Sequence, residues 1–565
     1  MINYNQIITE LLNKRGIVTD EEIEEFLSDK PQKTYDPSLL PDAQAGVDFI
    51  LTEIAAGSKI CIYGDYDADG ITSTALMLSV LGKLMPKEKL DYYIPSRFEE
   101  GYGLNKEAVK QIAGRGFQMI ITVDCGSVSA DEVEYAKSLG MKIVVTDHHN
   151  ITDAMADCLL INPKRPGGVY PFKELSGCGV AFKTAQLIQK KAGLPKSVLS
   201  EVLDLVAIGT VGDIMPLLDE NRTMVKFGLK MINTGHRYGL RKLIEGAGLS
   251  CGDITAENVG FVIVPHLNAS GRIEDASQAV KLLLEPEGSE EANAIVQDLL
   301  LKNRERRRLQ QQTFDNCTQN LTEIDDFLLL KLDDAHEGIT GIVAGKIKDK
   351  YNRPTVLVTP SGDEKQYLKG TGRSIEGVNL YNLLKRHEEC FEKFGGHAGA
   401  CGFLMPAENL TKLREGLLAD MVQIRQESPD IFEKKRPYDM DIEPEDATIE
   451  LAEAIEKLAP FGNRNPKPVF RMCDVQISDV RYMGEDGQHV RFKASQGGGP
   501  GDGITCVLFG RAKDYTSLLE ERRHADELAG TLDCQLWQGV KRLQLMVSWM
   551  DERPLLPAGQ HTNGD

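Results

Sequence analysis

The pattern of apolar and polar positions changes period several times along the chain, and each change predicts a structural boundary. Residues 1–45 read as a helical, Glu-rich lead-in that ends in the Pro-containing stretch KTYDPSLLPDA. From 46 to 285, short β-branched runs alternate with helical stretches: KICIY, then ITSTALMLSVLGKL; MIITV, then SADEVEYAKSLG; and KIVVT. Strands separated by helices predict parallel βαβ units in an open α/β sheet. Residues 286–325 are polar, centred on LKNRERRRLQQQ, and hold no Gly or Pro after Ser289, which predicts one long connector helix. A second α/β segment is expected over 326–428 (DDFLLLKL, PTVLVTP, GACGFLM), and the charged stretch ESPDIFEKKRPYD marks its end. Over 429–553, strand-like runs broken by Gly-rich turns predict a small β-barrel, followed by a disordered tail at 554–565.

The acids fall at particular points of this pattern. KICIY runs into Gly64-Asp65-Tyr66-Asp67-Ala68-Asp69-Gly70, MIITV into Asp124-Cys125-Gly126, and KIVVT into Asp147-His148-His149. Ligands of open α/β sheets bind in the crevice beyond the carboxyl ends of the strands, so these groups are expected to converge there. So many carboxylates repel one another unless divalent cations neutralise them, and mixed carboxylate and imidazole ligation suits Mn²⁺, or Mg²⁺ held mainly by carboxylates. The D-x-D-x-D-G spacing also opens an EF-hand loop, but its twelfth position is Leu76 rather than Glu, and it follows a strand. An aspartyl-nucleophile phosphatase would give the paired histidines no role. A solvated acidic turn would account for one such segment, not for three on successive strands. Asp213, in LVAIGTVGDIMPL, is a fourth acid at the end of an apolar run.

Composition narrows the class. Sixty-five basic and 85 acidic residues leave a net charge of -20, the wrong sign for a simple nucleic-acid-coating protein, so any nucleic-acid path is a local basic groove. The 11 cysteines include no CxxC pair, which argues against a zinc ribbon and for reduced thiols in a cytosol. The N-terminal MINYNQIITELLNKRG lacks a signal-peptide pattern, and no apolar run reaches the roughly 18 residues of a membrane span. A cytoplasmic protein with no membrane segment is expected.

YGDYDADGITS, VDCGS, VTDHHN and GTVGDIMPL occur in the order and approximate spacing of the four signature motifs of the DHH phosphoesterases, which the chain resembles. PSRFEEGYGLN, PHLNASGRIEDAS, HEGITGIVAGKI, KGTGRS, FGGHAGACGF and LAPFGNRNPKPVF are similar to the RecJ-type exonuclease branch of that superfamily, over residues 50–550. The resemblance implies a DHH domain, a DHH-associated domain and an oligonucleotide-binding (OB) barrel. It implies hydrolysis of single-stranded DNA from the 5′ end to 5′-mononucleotides with two Mn²⁺ or Mg²⁺ ions, in DNA repair and recombination. A single-strand-binding protein and a RecQ-type helicase are the implied partners. Rival readings are a DHH phosphodiesterase for short oligonucleotides or cyclic dinucleotides, and a degenerate DNA-binding replication subunit without catalysis.

Carried over motif by motif, Asp67 and Asp69 would hold one or both metals, with Asp65 as a ligand or acceptor beside them. Asp124 would bridge two ions, His148 would ligate one and Asp213 would complete the set. Asp147 is expected to orient His148 through its other ring nitrogen, and His149 to face the scissile phosphate. Arg97, Thr371 and Arg373 match a pocket for a 5′-terminal phosphate, while Arg272 and His397 are expected near substrate phosphates. Tyr63 stands where many relatives have His, His266 where Arg is commoner, Thr371 in place of Ser, and Gly212 where Ala is usual. In the barrel, Phe470, Tyr482, Phe492, Trp537 and Trp549 stand among Arg481, Arg491, Lys541 and Arg542, a combination that can stack and hold single strands. For each aromatic singly, a place in the core is the expectation. The basic run 304–308 is expected to be a solvated helix face.

Overall fold

The computed structural model describes residues 4–151, 154–319, 321, 323–361, 366–497, 503–537 and 539–551, apart from the side chains of Leu536 and Trp537. The tail expected at 554–565 and the Trp537 side chain therefore lie outside the described residues. The chain divides into two compact units, one of residues 35–215 and 224–434, the other of residues 1–34, 216–223 and 435–565.

The larger unit holds two sheets. The first contains β1 (Ile60–Tyr63), β2 (Leu90–Tyr93), β3 (Met119–Val123), β4 (Lys142–Thr146) and β5 (Leu159–Ile161), in the order β2-β1-β3-β4-β5 and parallel throughout. β1 and β3 are buried along their whole length, because helices cover both faces of a parallel sheet. Strand parity sorts the side chains. Cys61, Tyr63, Ile120, Ile143 and Val145 join the core formed with helices Lys106–Gly114 and Ala130–Ser138. Tyr63, fully buried, donates from its hydroxyl to the Gly103 carbonyl at 2.9 Å and stacks on Tyr93, so this departure from the family pattern is a core residue turned into the helical layer.

A single helix, Glu290–Gln319, precedes the second sheet of the same unit. This sheet is mixed: β6 (Leu328–Lys331) and β7 (Thr355–Ser361) run parallel, and β8 (Tyr367–Arg373), β9 (Lys393–His397) and β10 (Ala400–Pro406) complete the antiparallel order β7-β8-β10-β9. The basic run on the helix is largely tied along its own surface. Arg306 donates to Asn303 and Gln310, and Arg308 pairs with Glu305.

The smaller unit is a closed five-stranded barrel of β12 (Val469–Met483), β13 (His489–Ser495), β14 (Ile504–Leu508), β16 (Val540–Met550) and β15 (His524–Trp537), with β11 (Met440–Asp441) added beside β12. Its core also takes Ile8, Leu11 and Leu12 from helix Tyr4–Lys14 and Phe26 from helix Asp20–Leu27. The lead-in helices are thus part of the barrel unit. Arg222, nearly fully buried, stacks on Phe26 at 3.7 Å and donates to the carbonyls of Phe26, Leu458 and Ala459, which satisfies several orphan acceptors at once. Phe470 and Phe492 are fully buried, and Trp549 is nearly so, donating to the Pro437 carbonyl. Of the four barrel aromatics whose side chains are described, only Tyr482 is exposed, at 40%, while Phe509 is 56% exposed and packs edge-on to His489. Lys541 and Arg481 are paired with Glu453 and Asp479.

Candidate metal centre

The acids at the carboxyl edge of the first sheet come together through ordinary strand-to-helix chemistry. Asp67 is the N-cap of helix Ala68–Leu81, and its carboxylate accepts from the amides of Asp69 and Gly70 at 3.0 and 3.2 Å. Asp69, the second residue of that helix, accepts from the amides of Gly177 and Cys178 at 2.6 and 2.9 Å, at the N-terminus of helix Gly177–Ala192. Asp124 follows β3 with φ of 62°, a conformation that turns its side chain off the strand line. Asp213 caps the C-terminus of helix Leu203–Gly212. Glycines make the close approach possible: a Cβ at Gly177 would run into the Asp124 carboxylate, and one at Gly209 into that of Asp69.

His148 lies at the centre. Its Nε2 is 3.1 Å from Asp124 Oδ1, 3.4 Å from Asp213 Oδ2 and 4.0 Å from Asp69 Oδ2. Three overlapping sets of donor atoms each lie within 4.8 Å of one another: Asp69, His148 and Asp213; Asp65, Asp67 and Asp124; and Asp124, His148 and His149. Burial, then the charge of Asp67, raises the carboxyl of Asp65 well above the usual range. Burial, followed by neighbouring carboxylates, does the same for Asp69 and Asp124. Asp213 is pushed up to about 7 by burial and Asp67. Burial, then His149, lowers His148 to about 3, so its ring is neutral and cannot serve as a countercharge. Asp65 Oδ1, Asp124 Oδ1 and His148 Nε2 are all buried without a hydrogen-bond partner. Orphaned lone pairs facing one another are costly unless something cationic binds them together. The donor set fits two divalent cations.

Asp147 does not hold the His148 ring, whose nitrogens have no hydrogen-bond partner. Its Oδ1 accepts from His149 Nδ1 at 2.8 Å and from the His148 and His149 amides, while Oδ2 accepts from the Ser127 amide. The expectation is corrected in its partner: the short loop after β4 turns the ring of the second histidine, not the first, back onto Asp147. Burial opposes a charge on His149, but the Asp147 hydrogen bond and charge outweigh it and lift its pKa to about 9. The Tyr102 hydroxyl lies 3.1 Å from the same ring, and Asn162, directly after β5, donates to Ser127 Oγ and to the His149 carbonyl. Neither Tyr102 nor Asn162 is among the residues singled out from the sequence. Asn162 obeys the rule that marked the others, a polar residue at a strand's carboxyl end.

Next to the acids lies a cationic pocket. Arg97 stacks over the Tyr66 ring at 4.2 Å, and its Nε is buried without a partner. Arg272 donates to the Gly338 carbonyl at 3.1 Å, and burial followed by the charges of Arg97 and Arg306 lowers it to about 10. Arg373 is lowered by burial and by Arg97. Three guanidiniums that feel one another's charge can be satisfied together by an anion. Gly341, on helix Glu337–Tyr351, leaves the space that the Arg373 and Thr371 side chains occupy, and Thr371 Oγ1 stands 3.5 Å from Thr340 Oγ1. His397 ends β9, exposed, opposite Ala400, and no described contact joins it to the acids.

Because the metal donors are also proton acceptors, the apparent affinity for Mn²⁺ is expected to rise about tenfold from about pH 6 to about pH 8, as Asp213 loses its proton, with proton release on binding. Calorimetry in buffers of different ionisation enthalpy measures both. A pH-independent affinity would remove Asp213 from the donor set.

A parallel sheet with carboxylates and an imidazole clustered beyond its strand ends, followed by a mixed-sheet domain, is the architecture of a DHH phosphoesterase, and the family comparisons agree. Residues 59–210 match the DHH family N-terminal domain, 325–422 the DHHA1 domain and 438–548 the RecJ OB domain. The single-stranded-DNA-specific exonuclease RecJ of Bacillus subtilis is 36% identical over 97% of this chain and 68% of its own. The crystal structure of RecJ from Thermus thermophilus in complex with Mn²⁺ superposes with a TM-score of 0.80 at 26% identity, covering 97% of this chain and 76% of that one. The corresponding Mg²⁺ complex gives a TM-score of 0.76 at 25% identity, covering 97% and 74%. The chain belongs to the RecJ family.

Among the described residues, no helix is long and apolar enough to cross a membrane.

Proposed function

We propose that this protein is a metal-dependent exonuclease that degrades single-stranded DNA from the 5′ end and releases 5′-mononucleotides. The observation that carries the reading is the convergence of acids from three separate chain segments on His148, beside a cationic pocket. Asp65, Asp67 and Asp124 would hold one divalent cation, and Asp69, His148 and Asp213 the other. Bound Mn²⁺ or Mg²⁺ supplies a deprotonated water and charge neutralisation for in-line displacement at phosphorus. The protein supplies the rest. Arg97, Thr371 and Arg373 seat the 5′-terminal phosphate, which fixes the next phosphodiester over the acids, with Arg272 beside it. Asp147 locks the charged His149 ring facing the cleft, where it holds a proton close to the reacting phosphate. Cleavage breaks the bond between phosphorus and the 3′ oxygen and leaves the phosphate on the 5′ carbon of the next nucleotide. Each turnover thus regenerates the end that the pocket recognises.

The reading extends to a cytoplasmic setting, which suits eleven cysteines without a disulfide. It extends also to partners that produce and hold single strands, a RecQ-type helicase and a single-strand-binding protein, in repair and recombination. In the barrel, Tyr482 and Phe509 present exposed aromatic faces that can stack bases.

The test is digestion of 5′- and 3′-labelled single strands with Mn²⁺. Immediate release of labelled mononucleotide from the 5′-labelled strand and stepwise shortening of the 3′-labelled one are expected. The opposite order, or activity confined to dinucleotides, would overturn it.

A further inference from the structure

We infer that Asn268 is a substrate-binding residue whose carboxamide donates a hydrogen bond to a non-bridging oxygen of the phosphodiester being cut. The inference rests on the single-strand exonuclease reading and adds a residue to its site.

Asn268 lies on helix Val264–Ile273, with Arg272 one turn further along it. The positions 264, 268, 271 and 272 fall on one helical face, because residues three and four apart are neighbours there. That face is pinned at both ends to the segments bearing the metal-centre acids. Val264 packs on Gly212, where a Cβ would come 3.2 Å from Val264 Cγ2, and Gly212 directly precedes Asp213. A Cβ at Gly271 would come 2.8 Å from the Tyr66 carbonyl oxygen, and Tyr66 stands between Asp65 and Asp67. Asn268 sits between these two anchors, so its side chain leaves the helix toward the cleft that the two acid-bearing segments enclose.

Its carboxamide oxygen has nothing to bond there: Asn268 Oδ1 is buried without a hydrogen-bond partner. Leaving such a group unsatisfied costs more than an average hydrogen bond contributes, and native sites keep one where a ligand completes it. The chemistry of the surroundings selects the ligand. Arg272, four residues on, feels both the Arg97 guanidinium and the Asp67 carboxylate, which places the helix end between the cationic pocket and the acids. A phosphodiester bridging those two regions passes the face that carries Asn268. A half-turn of the carboxamide exchanges its oxygen and nitrogen, so it can present an N–H to an anion.

Three chains decide the matter: wild type, Asn268→Ala and Asn268→Asp. Each is assayed for kcat and KM on a 5′-phosphorylated oligodeoxynucleotide with Mn²⁺, for Mn²⁺ affinity without DNA, and for thermal unfolding. Loss of one donor to a charged oxygen is expected to lower kcat/KM of Asn268→Ala by about 10- to 100-fold, with unchanged Mn²⁺ affinity. Asn268→Asp should lose more, because its carboxylate repels the phosphate. Wild-type turnover in Asn268→Ala overturns the inference. So does Asn268→Asp performing at or above wild type, or a fall in Mn²⁺ affinity in Asn268→Ala, since either would mark a metal ligand instead. If Asn268→Asp fails to fold, Asn268→Ser replaces it, and retention of wild-type turnover there overturns the inference equally. A wild-type chain that degrades no single strand sinks the exonuclease reading first, and this inference with it.

Discussion

Asp124→Asn is expected to lower DNA hydrolysis by about a thousandfold or more while raising the melting temperature of the metal-free chain. The two effects have one cause. Asp124 is 3% exposed, and burial together with Asp69, Asp67, Asp213 and Asp65 raises its carboxyl well above the ordinary range. A carboxyl whose folded-state pKa exceeds its unfolded value contributes stability at low pH and costs stability once the pH passes the unfolded value. At neutral pH the metal-free site is therefore a source of strain, relieved by a neutral side chain. Asn is the right replacement because it tolerates the φ of 62° better than most residues. Mn²⁺ should raise the melting temperature of the wild type and do so much less for the variant, since binding to the folded state alone is what stabilises. Unfolding followed by circular dichroism, with and without Mn²⁺, reads all of this. A lower melting temperature for the metal-free variant would mean that Asp124 is a structural acid.

Arg97→Ala and Arg373→Ala are each expected to raise KM by about 10- to 100-fold for strands with a 5′ phosphate, with little change for strands ending in a 5′ hydroxyl. Arg97, Arg272 and Arg373 make no ion pair with a described carboxylate, although Arg272 and Arg373 are lowered by burial and by the charge of Arg97. Removing one cation relieves its neighbours, so the fold should tolerate the change, and the loss should appear only when the phosphate dianion is present. Matched oligonucleotides measured side by side provide the test. Equal losses on both ends would assign the arginines a structural role, and no loss on either would place terminus recognition elsewhere.

The convergence of acids could be seen in the sequence because it depends on strand ends, which short apolar runs mark clearly. KICIY, MIITV and KIVVT fixed where Asp65, Asp124 and Asp147 leave the sheet, and β1, β3 and β4 are neighbours in it. What depends on a rotamer was hidden. Whether Asp147 takes the first or second histidine is decided by the turn of a short loop, which composition does not encode. Tyr63 was legible in part: it shares parity with Cys61, a core position, and so faces the helices rather than the ligand edge. The same parity turns Phe470 inward with Met472, and Phe492 inward with Val490 and Ala494. The docking of the first two helices into the barrel core could not be read, since their amphipathic pattern shows that they bury a face but not which distant segment receives it. His397, expected near substrate phosphates, ends β9, and no contact among the described residues ties it to the acids.

That docking bears on how the chain is made. Ile8, Leu11, Leu12 and Phe26 leave the ribosome some four hundred residues ahead of the strands that will cover them. While residues 35–215 are being synthesised, these helices must wait with an oily face uncovered, and their closure has the long loop that slows folding and invites misassembly. Trimming the N-terminus would not liberate a tidy catalytic fragment. It would open a hole in the module at the opposite terminus, so expression vectors that aim to isolate the barrel need residues 4–34 supplied alongside it.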